Sequence, residues 1–341
     1  MPTRFRIFAL SAILLAVNSG LAQSQDKKLA ITDVAKAGVD YSLQGEYTGD
    51  MVVNNRYWKT VGLQVIAQGN GKFDAVLYLG GLPGAGWDNQ TRDRLSGQQK
   101  KGVLDLVSAG YTARIVDGVA IMRDPESNDR LGKLKRVERS SSTLGLEAPC
   151  DARVIFDGSN VDQLKNGSMT ADGLLESGTE FDTGSHDFTL HIEFKTPFMP
   201  HARGQGRANS GVYIHSRYEV QILDSFGLEG EHNEAGGLYK QRRPDVNMAF
   251  PPLTWQTYDI DFKAARFDCE GNKTCNARIT VCHNGVVIHN DVELTGKTGA
   301  GKAEGPTILP TKLQDHGNPV VFRNIWIIDR DPKCCCCSCC K

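Results

Sequence analysis

The residues best suited to chemistry in this chain lie between positions 210 and 225. Two short strands are predicted there, and in the second one Glu219 and Gln221 alternate with apolar residues. Residues two apart on a strand point the same way, about 7 Å apart. Tyr213 and His215 form the matching polar set of the first strand. If an odd number of residues connects the strands, one of these two lies opposite Glu219, and the shared polar face suits a hydroxyl-rich ligand such as a sugar.

A carboxylate beside an imidazole points to acid–base chemistry. Glu219 and His215 are candidate bases, and Asp224, at the end of the second strand, is a candidate acid. Paired acids serve glycoside cleavage, but Gln221 stands where a second carboxylate is expected. A direct retaining glycosidase would need two carboxyl groups about 5 to 5.5 Å apart. The structural alternative is a solvated sheet face with one cross-strand pair.

A second candidate set precedes the last predicted strand. Gln314, Asp315 and His316 form a loop at the rim of the sheet, and Arg323 lies in the strand that follows. Histidine can donate, accept or shuttle protons near neutral pH. Arg323 and the earlier Arg217 can bind ligand oxygens or stabilise an enolate. The alternative for the loop is a turn in which Asp315 caps its own backbone.

Five further residues complete the candidate ligands. His191 and Glu193 share one face of another predicted strand and can join a metal or sugar site, although an ordinary polar face is the favoured explanation for two such residues alone. Trp255 and Tyr258 fall on opposite faces, so one belongs to the core and the other can stack on a sugar ring. Asn209 is a candidate hydrogen-bonding partner for sugar hydroxyls.

The elements that must position these residues are strands. From position 150 to 331, many short alternating segments with turn signals predict a two-sheet jelly roll. Positions 23 to 149 predict a smaller β-rich domain of unknown role, ending in a linker at about 138 to 148. The dipeptides Asn70-Gly71 and Asn284-Gly285 each predict a two-residue hairpin turn. The fold class is therefore all-β.

The two ends of the chain carry different signals. Arg4 and Arg6, an apolar run from 7 to 17 and small residues up to position 22 predict a signal peptide at 1–22, so the protein is expected in the periplasm or outside the cell. Six of the ten cysteines crowd into a tail at 332–341. That tail fits either a soft-metal or cross-linking segment or a disordered extension, and no function is drawn from it.

Composition excludes one class of partner. The chain has 341 residues, enough for two domains, with 39 basic and 40 acidic residues and a net charge of −1. This balance makes nucleic acid an unsuitable partner. The N-terminal apolar run is too short to span a membrane, and no later apolar stretch is long enough to do so. The oligomeric state does not follow from the sequence.

The second domain resembles a known family, the 3-keto-disaccharide hydrolase domain. The resemblance covers residues 152 to 330 and rests on blocks of sequence at 209–225, 251–259, 283–285, 313–317 and 322–326. It implies a concanavalin A-like jelly roll whose concave sheet holds the site. The first domain is similar to β-rich segments that accompany this domain in exported bacterial proteins.

The chemistry that the resemblance implies is elimination followed by hydration. A ketone at sugar C3 acidifies the C2 proton, a base removes it, and the leaving group departs from C1. This needs a base, an acid for the leaving oxygen and a group that stabilises the enolate. The candidates are Glu219 or His215 as base, Asp224 or His316 as acid, and Arg217 or Arg323 at the enolate. A divalent cation can replace the arginine, with ligands among His191, Glu193 and Asp315.

We therefore expect an exported hydrolase that cleaves 3-keto disaccharides or related glycosides. The alternative is a carbohydrate-binding jelly-roll module without catalysis, which needs flat aromatic platforms rather than proton-transfer groups. The chain has only four tryptophans, and its candidate face is rich in ionisable side chains, which favours the enzyme.

Overall fold

The computed structural model describes residues 28–53 and 57–330, and most of its regular structure is β. A 3-10 turn (Val34–Lys36) and a short helix, α1 (Gly38–Leu43), precede the first strand. Within these two ranges, no helix combines the length and the apolar character that crossing a membrane requires. The predicted signal peptide and the cysteine-rich tail lie outside the described residues.

The first eight strands close into an antiparallel barrel in which each strand pairs with the next and the last pairs with the first. Their bounds are β1 (Gly45–Val53), β2 (Tyr57–Gly69), β3 (Lys72–Leu79), β4 (Arg92–Lys100), β5 (Val103–Val107), β6 (Thr112–Val116), β7 (Val119–Arg123) and β8 (Arg130–Val137). Alternate residues point inwards, and side chains such as Leu63, Leu104 and Ile115 are fully buried there. The barrel interior is therefore a packed core.

The remaining strands form a sandwich. Their bounds are β9 (Arg153–Phe156), β10 (Leu164–Lys165), β11 (Leu175–Glu176), β12 (Glu180–Phe181), β13 (Asp187–Lys195), β14 (Ser210–Ile214), β15 (Tyr218–Ile222), β16 (Trp255–Lys263), β17 (Arg266–Phe267), β18 (Lys273–Cys275), β19 (Ala277–His283), β20 (Val286–Leu294), β21 (Lys312–Leu313) and β22 (Val321–Arg330). A second 3-10 turn (Gly204–Gly206) precedes β14.

The sandwich has two main sheets. The smaller has the order β10-β12-β21-β14-β15, and the larger has the order β11-β22-β13-β16-β19-β20, with β9 also paired to β22. Strands β17 and β18 form a separate hairpin. Inward-facing side chains such as Val212, Val220, Ile192 and Ile260 pack together between the two sheets, as period-2 alternation requires. The predicted all-β class, a jelly-roll sandwich preceded by a smaller β-rich unit, is confirmed.

The predicted hairpin turns are also present. Asn70 and Gly71 have φ of 55° and 71°, and Asn284 and Gly285 have φ of 52° and 79°. Positive φ at both central residues is the geometry of a type I′ turn, which asparagine and glycine adopt at low cost. These turns fix the registers of β2 with β3 and of β19 with β20.

The segment between barrel and sandwich packs against the outer face of the larger sheet. Gly145 donates its backbone N–H to Glu193 Oε1 at 2.5 Å. The carbonyl of Leu146 accepts from Trp326 Nε1 at 3.3 Å. Ser141 and Thr257 share a hydrogen bond of 2.6 Å between their hydroxyls. The outer face of the larger sheet is therefore covered by this segment, whereas the smaller sheet carries its own polar face.

Candidate functional site

The hairpin β14–β15 brings two of the predicted site residues together. Its register pairs Ile214 with Tyr218 and Tyr213 with Glu219, so three residues form the connection. This is the odd-numbered connection that the sequence analysis required for a shared polar face. The Tyr213 hydroxyl donates to Glu219 Oε2 at 2.7 Å. Opposite them, Val212 and Val220 turn into the core.

Glu219 is a buried carboxyl with neutral hydrogen-bond donors. It is 2% exposed and makes no ion pair with any described residue. Its other oxygen lies 3.0 Å from the Gln221 amide nitrogen in the amide orientation that satisfies both groups. Burial raises the pKa of Glu219 to about 7, and the hydrogen bond from Tyr213 opposes that rise. A carboxyl with such a pKa can accept or donate a proton at neutral pH.

Glycine next to this carboxyl makes room for it. Gly211 lies on β14 two residues before Tyr213, and a Cβ there would lie 2.5 Å from Glu219 Oε1. The Glu219 side chain therefore leans over the bare backbone of Gly211. Directly after the neighbouring strand β21, Gln314 donates its backbone N–H to Gly211 O at 2.9 Å. The side-chain Oε1 of Gln314 is buried and has no hydrogen-bond partner among the described residues, so a ligand hydroxyl can satisfy it.

The loop that follows β20 covers Glu219. Thr298 Oγ1 accepts the backbone N–H of Glu219 at 2.5 Å. Gly299 has φ of 41°, and a Cβ there would lie 3.3 Å from Glu219 Oε2 and 2.7 Å from Tyr239 Cδ1. The loop thus approaches the carboxyl closely because residue 299 has no side chain. Tyr239 itself donates its backbone N–H to Glu219 O at 3.3 Å.

The barrel supports another part of the same region. Arg203 donates to the carbonyl of Gln68 in the barrel at 2.8 Å. Two residues further on, Gln205 accepts from Asn209 Nδ2 at 3.1 Å through its side chain and at 2.8 Å through its backbone carbonyl. Gln205 also lies 2.9 Å from the Gln221 amide. The predicted ligand Asn209 therefore belongs to a network that the barrel anchors and that ends beside Glu219.

Asp224, predicted as an acid, is held in an ion pair. Its Oδ2 accepts from Arg207 Nε at 2.7 Å, and its Oδ1 accepts the backbone N–H of Phe226 at 3.3 Å. Arg207 also points at the carbonyl of Ala67 in the barrel, at 3.4 to 3.5 Å. Both side chains of the pair are buried. Asp224 therefore joins the sandwich to the barrel.

The 314–318 loop matches the structural alternative. Asp315 Oδ1 accepts the backbone N–H of Gly317 at 2.7 Å, which is the self-capping turn. His316 is exposed and makes no hydrogen bond with any described residue. Asn318 Oδ1 accepts the backbone N–H of Asn209 at 2.8 Å. The loop thus fixes the edge of the Glu219 network through Asn318, a residue that the sequence analysis did not select.

His215 does not share the face of Glu219, so this expectation is wrong. The strand ends one residue earlier, and His215 has φ of 52°. Its Nε2 donates to the carbonyl of Ser185 at 2.6 Å, and its ring lies 4.9 Å from that of Phe262 in the core. Burial lowers its pKa to about 4. His215 is consequently a neutral core residue near pH 7.

Arg217 also points away from the predicted site. Its Nε donates to the carbonyl of Ala303 at 2.8 Å, and its Nη1 donates to the carbonyl of Thr307 at 3.0 Å. The side chain is buried in these contacts. It therefore holds the loop that follows Gly299 and is not available to an enolate.

The remaining predicted residues lie on the outer face of the other sheet. Arg323 Nε donates to Glu193 Oε2 at 2.6 Å, and its guanidinium lies 4.0 Å from the centre of the Trp255 ring. His191 Nδ1 lies 2.6 Å from Asp259 Oδ1. The prediction that Arg323 and Trp255 join Glu219 is wrong, because the hydrophobic core separates the two faces. The guanidinium of Arg323 covers the Trp255 ring, so this ring is not free to stack on a sugar.

Both oxygens of Glu193 are occupied. Besides Arg323, the backbone N–H of Gly145 and the amide of Asn324 donate to it, at 2.5 and 3.0 Å. Burial alone would raise the pKa of Glu193, but the hydrogen bonds from His191 and these donors outweigh it and lower the pKa to about 2. Burial alone would likewise lower the pKa of His191, but its hydrogen bonds with Asp259 and Glu193 raise it. The network is a charged clamp for the segment that follows the barrel.

The described ranges offer no grouping of three or more His, Cys, Asp or Glu side chains that could hold a metal ion. His191 and Glu193 are engaged in the clamp on the larger sheet. Asp315 lies in the exposed turn beside the smaller sheet. The three candidate ligands are therefore not assembled into one site.

The structure adds residues that sequence reasoning missed. Lys312 is the register partner of Tyr213 on β21, and Glu180 is the partner of Lys312 on β12. The signal for Lys312 was its position two residues before the predicted ligand Gln314, because residues two apart in an extended segment point the same way. Nothing local marks Glu180, because its strand has only two residues.

Comparisons with known proteins find one matching family model and several similar solved structures. The model of a family described as the 3-keto-alpha-glucoside-1,2-lyase-like domain matches residues 151–328. None of the curated proteins matches. Three solved structures from Parabacteroides distasonis, each described as a candidate glycosyl hydrolase, are similar to the chain. The first is 30% identical over 54% of this chain and 85% of its own, with a TM-score of 0.47. The others are 18% identical over 53% and 94%, with a TM-score of 0.40, and 20% identical over 52% and 99%, with a TM-score of 0.36.

Proposed function

The chain belongs to the 3-keto-alpha-glucoside-1,2-lyase-like domain family, and from that membership and the surroundings of Glu219 we infer that it cleaves 3-keto glycosides. At the family level this is a glycosidase-like function. The finer proposal is elimination across C1 and C2 of an oxidised sugar ring, followed by addition of water. A disaccharide oxidised at C3 is the substrate class that we propose.

One observation carries the proposal. Glu219 is a buried carboxyl with a pKa of about 7, on a polar sheet face, without an ion-pairing cation among the described residues. A carboxylate paired with arginine would be too weak a base, whereas Glu219 gains basicity from its burial. Proton abstraction next to a ketone needs such a base, while direct retaining hydrolysis needs a second carboxyl close by. The nearest side chain on the same strand face is the amide of Gln221.

The proposed elimination breaks two bonds, C2–H and C1–O, and hydration follows it. Glu219 accepts the C2 proton, and the electron pair of the C2–H bond moves into a C2–C3 double bond with an oxyanion at C3. The oxyanion then reforms the C3 carbonyl, C1 and C2 become doubly bonded, and the C1–O bond breaks. The leaving oxygen takes a proton from solvent, and Glu219 returns its own proton to solvent. Addition of water across C1 and C2 gives the products of net hydrolysis.

Tyr213 supports the base. Desolvation and the nearby Glu219 carboxylate raise the pKa of Tyr213 well above its ordinary value, so the phenol remains protonated. It therefore acts as a hydrogen-bond donor throughout the reaction. In the free protein it donates to Glu219, and it is placed to donate to substrate once that carboxyl has been protonated.

Two readouts test the proposal. A 3-keto disaccharide and its unoxidised parent are incubated with wild type, Glu219→Gln and the control Glu126→Gln, which changes an exposed glutamate of the barrel. In D₂O, exchange of the C2 proton is followed by NMR. We expect wild type and the control to cleave only the keto sugar and to exchange its C2 proton, and Glu219→Gln to lose both activities by about 100-fold or more.

Other results reject the proposal. Equal cleavage of both sugars would show a mechanism that does not need the ketone. Retention of a sugar without cleavage or exchange would identify the sandwich as a carbohydrate-binding module. Export through the segment 1–22 is a separate proposal. It is tested by whether the mature N-terminus begins near residue 23 when the full chain is produced in a bacterium.

A further inference from the structure

A row of five side chains crosses the smaller sheet from edge to edge. The registers pair Glu219 with Tyr213, Tyr213 with Lys312, Lys312 with Glu180, and Glu180 with Lys165. Directly opposed residues of antiparallel strands project on the same face. At about 4.8 Å between strands, the row spans about 19 Å. The sheet therefore presents one continuous line of polar groups.

The opposite face confirms which way the row points. The sequence neighbours of Lys312, Glu180 and Lys165 are buried in the core between the sheets. They are Leu313, Phe181 and Leu164. Because neighbours along a strand alternate in direction, Lys312, Glu180 and Lys165 point outwards. The row and the core thus lie on opposite sides of the same five strands.

Exposure changes steadily along the row. Lys165 is exposed, Glu180 and Lys312 are half-buried, and Tyr213 and Glu219 are 6% and 2% exposed. The track is therefore open at the Lys165 edge and closed at Glu219, where the loop containing Gly299 covers it. We therefore expect a ligand to reach the row from its exposed edge.

The charged members of the row have no partners among the described residues. Lys312, Glu180 and Lys165 alternate in sign, yet none of the three side chains makes a hydrogen bond or ion pair with any described residue. By contrast, Arg217 and Arg323 are fully engaged, with backbone carbonyls and with Glu193. Charged groups that stand in register with a buried base and remain unpaired are available to a ligand.

We propose that this row is the binding track for the glycoside, with Lys312 at the C3 oxygen of the oxidised ring and Glu180 at the hydroxyls of the leaving group. The assignment rests on the proposed function. C2 and C3 are adjacent, so a ring held above Tyr213 presents its C2 proton to Glu219 and its C3 oxygen to Lys312. The four-carbon stem of lysine lets its ammonium group reach over such a ring.

The chemistry explains why a cation is needed at that position. Negative charge develops on the C3 oxygen as the C2 proton leaves, and a positioned cation stabilises it more in the transition state than in the ketone. Lys312 therefore acts on the rate. Glu180 lies further towards the open end and contacts only a leaving group long enough to reach it. It therefore acts on the choice of substrate.

The experiment compares two substrates, a 3-keto disaccharide and the corresponding 3-keto methyl glycoside. Lys312→Met is expected to lower kcat for both by about 100-fold, with a smaller change in KM. Lys312→Arg keeps the charge and is expected to retain at least about a tenth of the activity. Glu180→Gln is expected to raise KM about 10-fold for the disaccharide and to leave the methyl glycoside unchanged. Lys72→Met, at an exposed barrel position, is the control.

The outcomes separate this inference from the proposed function. If wild type neither cleaves the keto sugars nor exchanges the C2 proton, the proposed function fails and the track fails with it. If wild type is active and Lys312→Met retains its rate, or Glu180→Gln affects both substrates equally, the track alone is overturned. Should Lys312→Met not fold, Lys312→Gln replaces it, with the thermal unfolding midpoint of each variant as the check.

Discussion

Replacing Glu219 with glutamine should make the protein more stable at alkaline pH while it abolishes catalysis. The carboxyl is 2% exposed, and its burial raises its pKa from 4.5 to about 7. The native state therefore binds this proton more tightly than the unfolded chain does. Below pH 4.5 the group is protonated in both states and contributes little. As pH rises to about 7 the native state pays an increasing desolvation cost, which then stays constant.

The magnitude follows from the pKa values. At about 1.4 kcal/mol per pKa unit, a rise from 4.5 to about 7 corresponds to roughly 3 kcal/mol of lost stability above pH 7. Glutamine has nearly the same shape, carries no charge and can still hydrogen-bond to the Tyr213 hydroxyl. The advantage of the variant should therefore be small at pH 4.5 and reach about 3 kcal/mol at pH 8.5.

The assay is urea-induced unfolding of wild type, Glu219→Gln and the exposed control Glu126→Gln at both pH values. Intrinsic fluorescence reports on both parts of the chain, because Trp58 and Trp87 lie in the barrel region and Trp255 and Trp326 lie in the sandwich. The control should show the same difference from wild type at both pH values. A Glu219→Gln advantage that does not change with pH would refute the argument that burial of the charged form destabilises the fold. A variant that is more stable yet fully active would leave Glu219 without its role as base.

Three further changes test the geometry around the two polar faces. Tyr213→Phe removes the donor that opposes the rise in the pKa of Glu219, so the limb of the kcat/KM profile near pH 7 should move to higher pH and the rate should fall about 10-fold. Gly211→Ala places a Cβ 2.5 Å from Glu219 Oε1, so activity should fall at least about 10-fold, measured by turnover, while the fold persists. Glu193→Gln removes the carboxylate that faces His191 and should cost about 3 kcal/mol of unfolding free energy at pH 7, measured by urea titration. Because the pKa of Glu193 is lowered to about 2, this cost should persist above pH 4.5 and vanish as pH falls towards 2.

For each of these variants, one result would contradict the prediction. An unchanged pH profile for Tyr213→Phe would mean that the phenol does not tune the carboxyl. For Gly211→Ala the matched control is Gly296→Ala, where an added Cβ meets nothing within 4 Å. Equal activity of these two alanine variants would show that the space above residue 211 is not needed. Loss of turnover in folded Glu193→Gln would place chemistry on the larger sheet and not at Glu219.

Much of the fold follows from local patterns. Period-2 alternation of apolar residues locates the strands, and Asn70-Gly71 and Asn284-Gly285 locate two turns, because positive φ at both residues is cheap for these types. The same local reasoning pairs Tyr213 with Glu219 once the connection is known to have three residues. These features depend on neighbours a few residues away, which the sequence displays directly.

The errors share one cause. In the sequence, His215 continues the alternation of β14. In the structure the backbone turns at that residue, and its ring packs against Phe188 and Phe262. Arg323 and Trp255 have suitable side chains, yet their strands belong to the other sheet. Alternation gives the direction of a side chain relative to its own strand. It does not say which sheet that strand joins or where the strand ends.

The sequence by itself determined that this chain is built of strands, that its sandwich has the residues of its family, and that Glu219 lies on a polar face. Only the tertiary structure decided that Glu219 is buried with a pKa of about 7, and that Lys312 stands beside Tyr213 across the sheet. Burial depends on the loop around Gly299, far along the chain from Glu219. Strand order likewise joins segments about 100 residues apart. Desolvation and cross-strand pairing act through space, so no local pattern of residues encodes them.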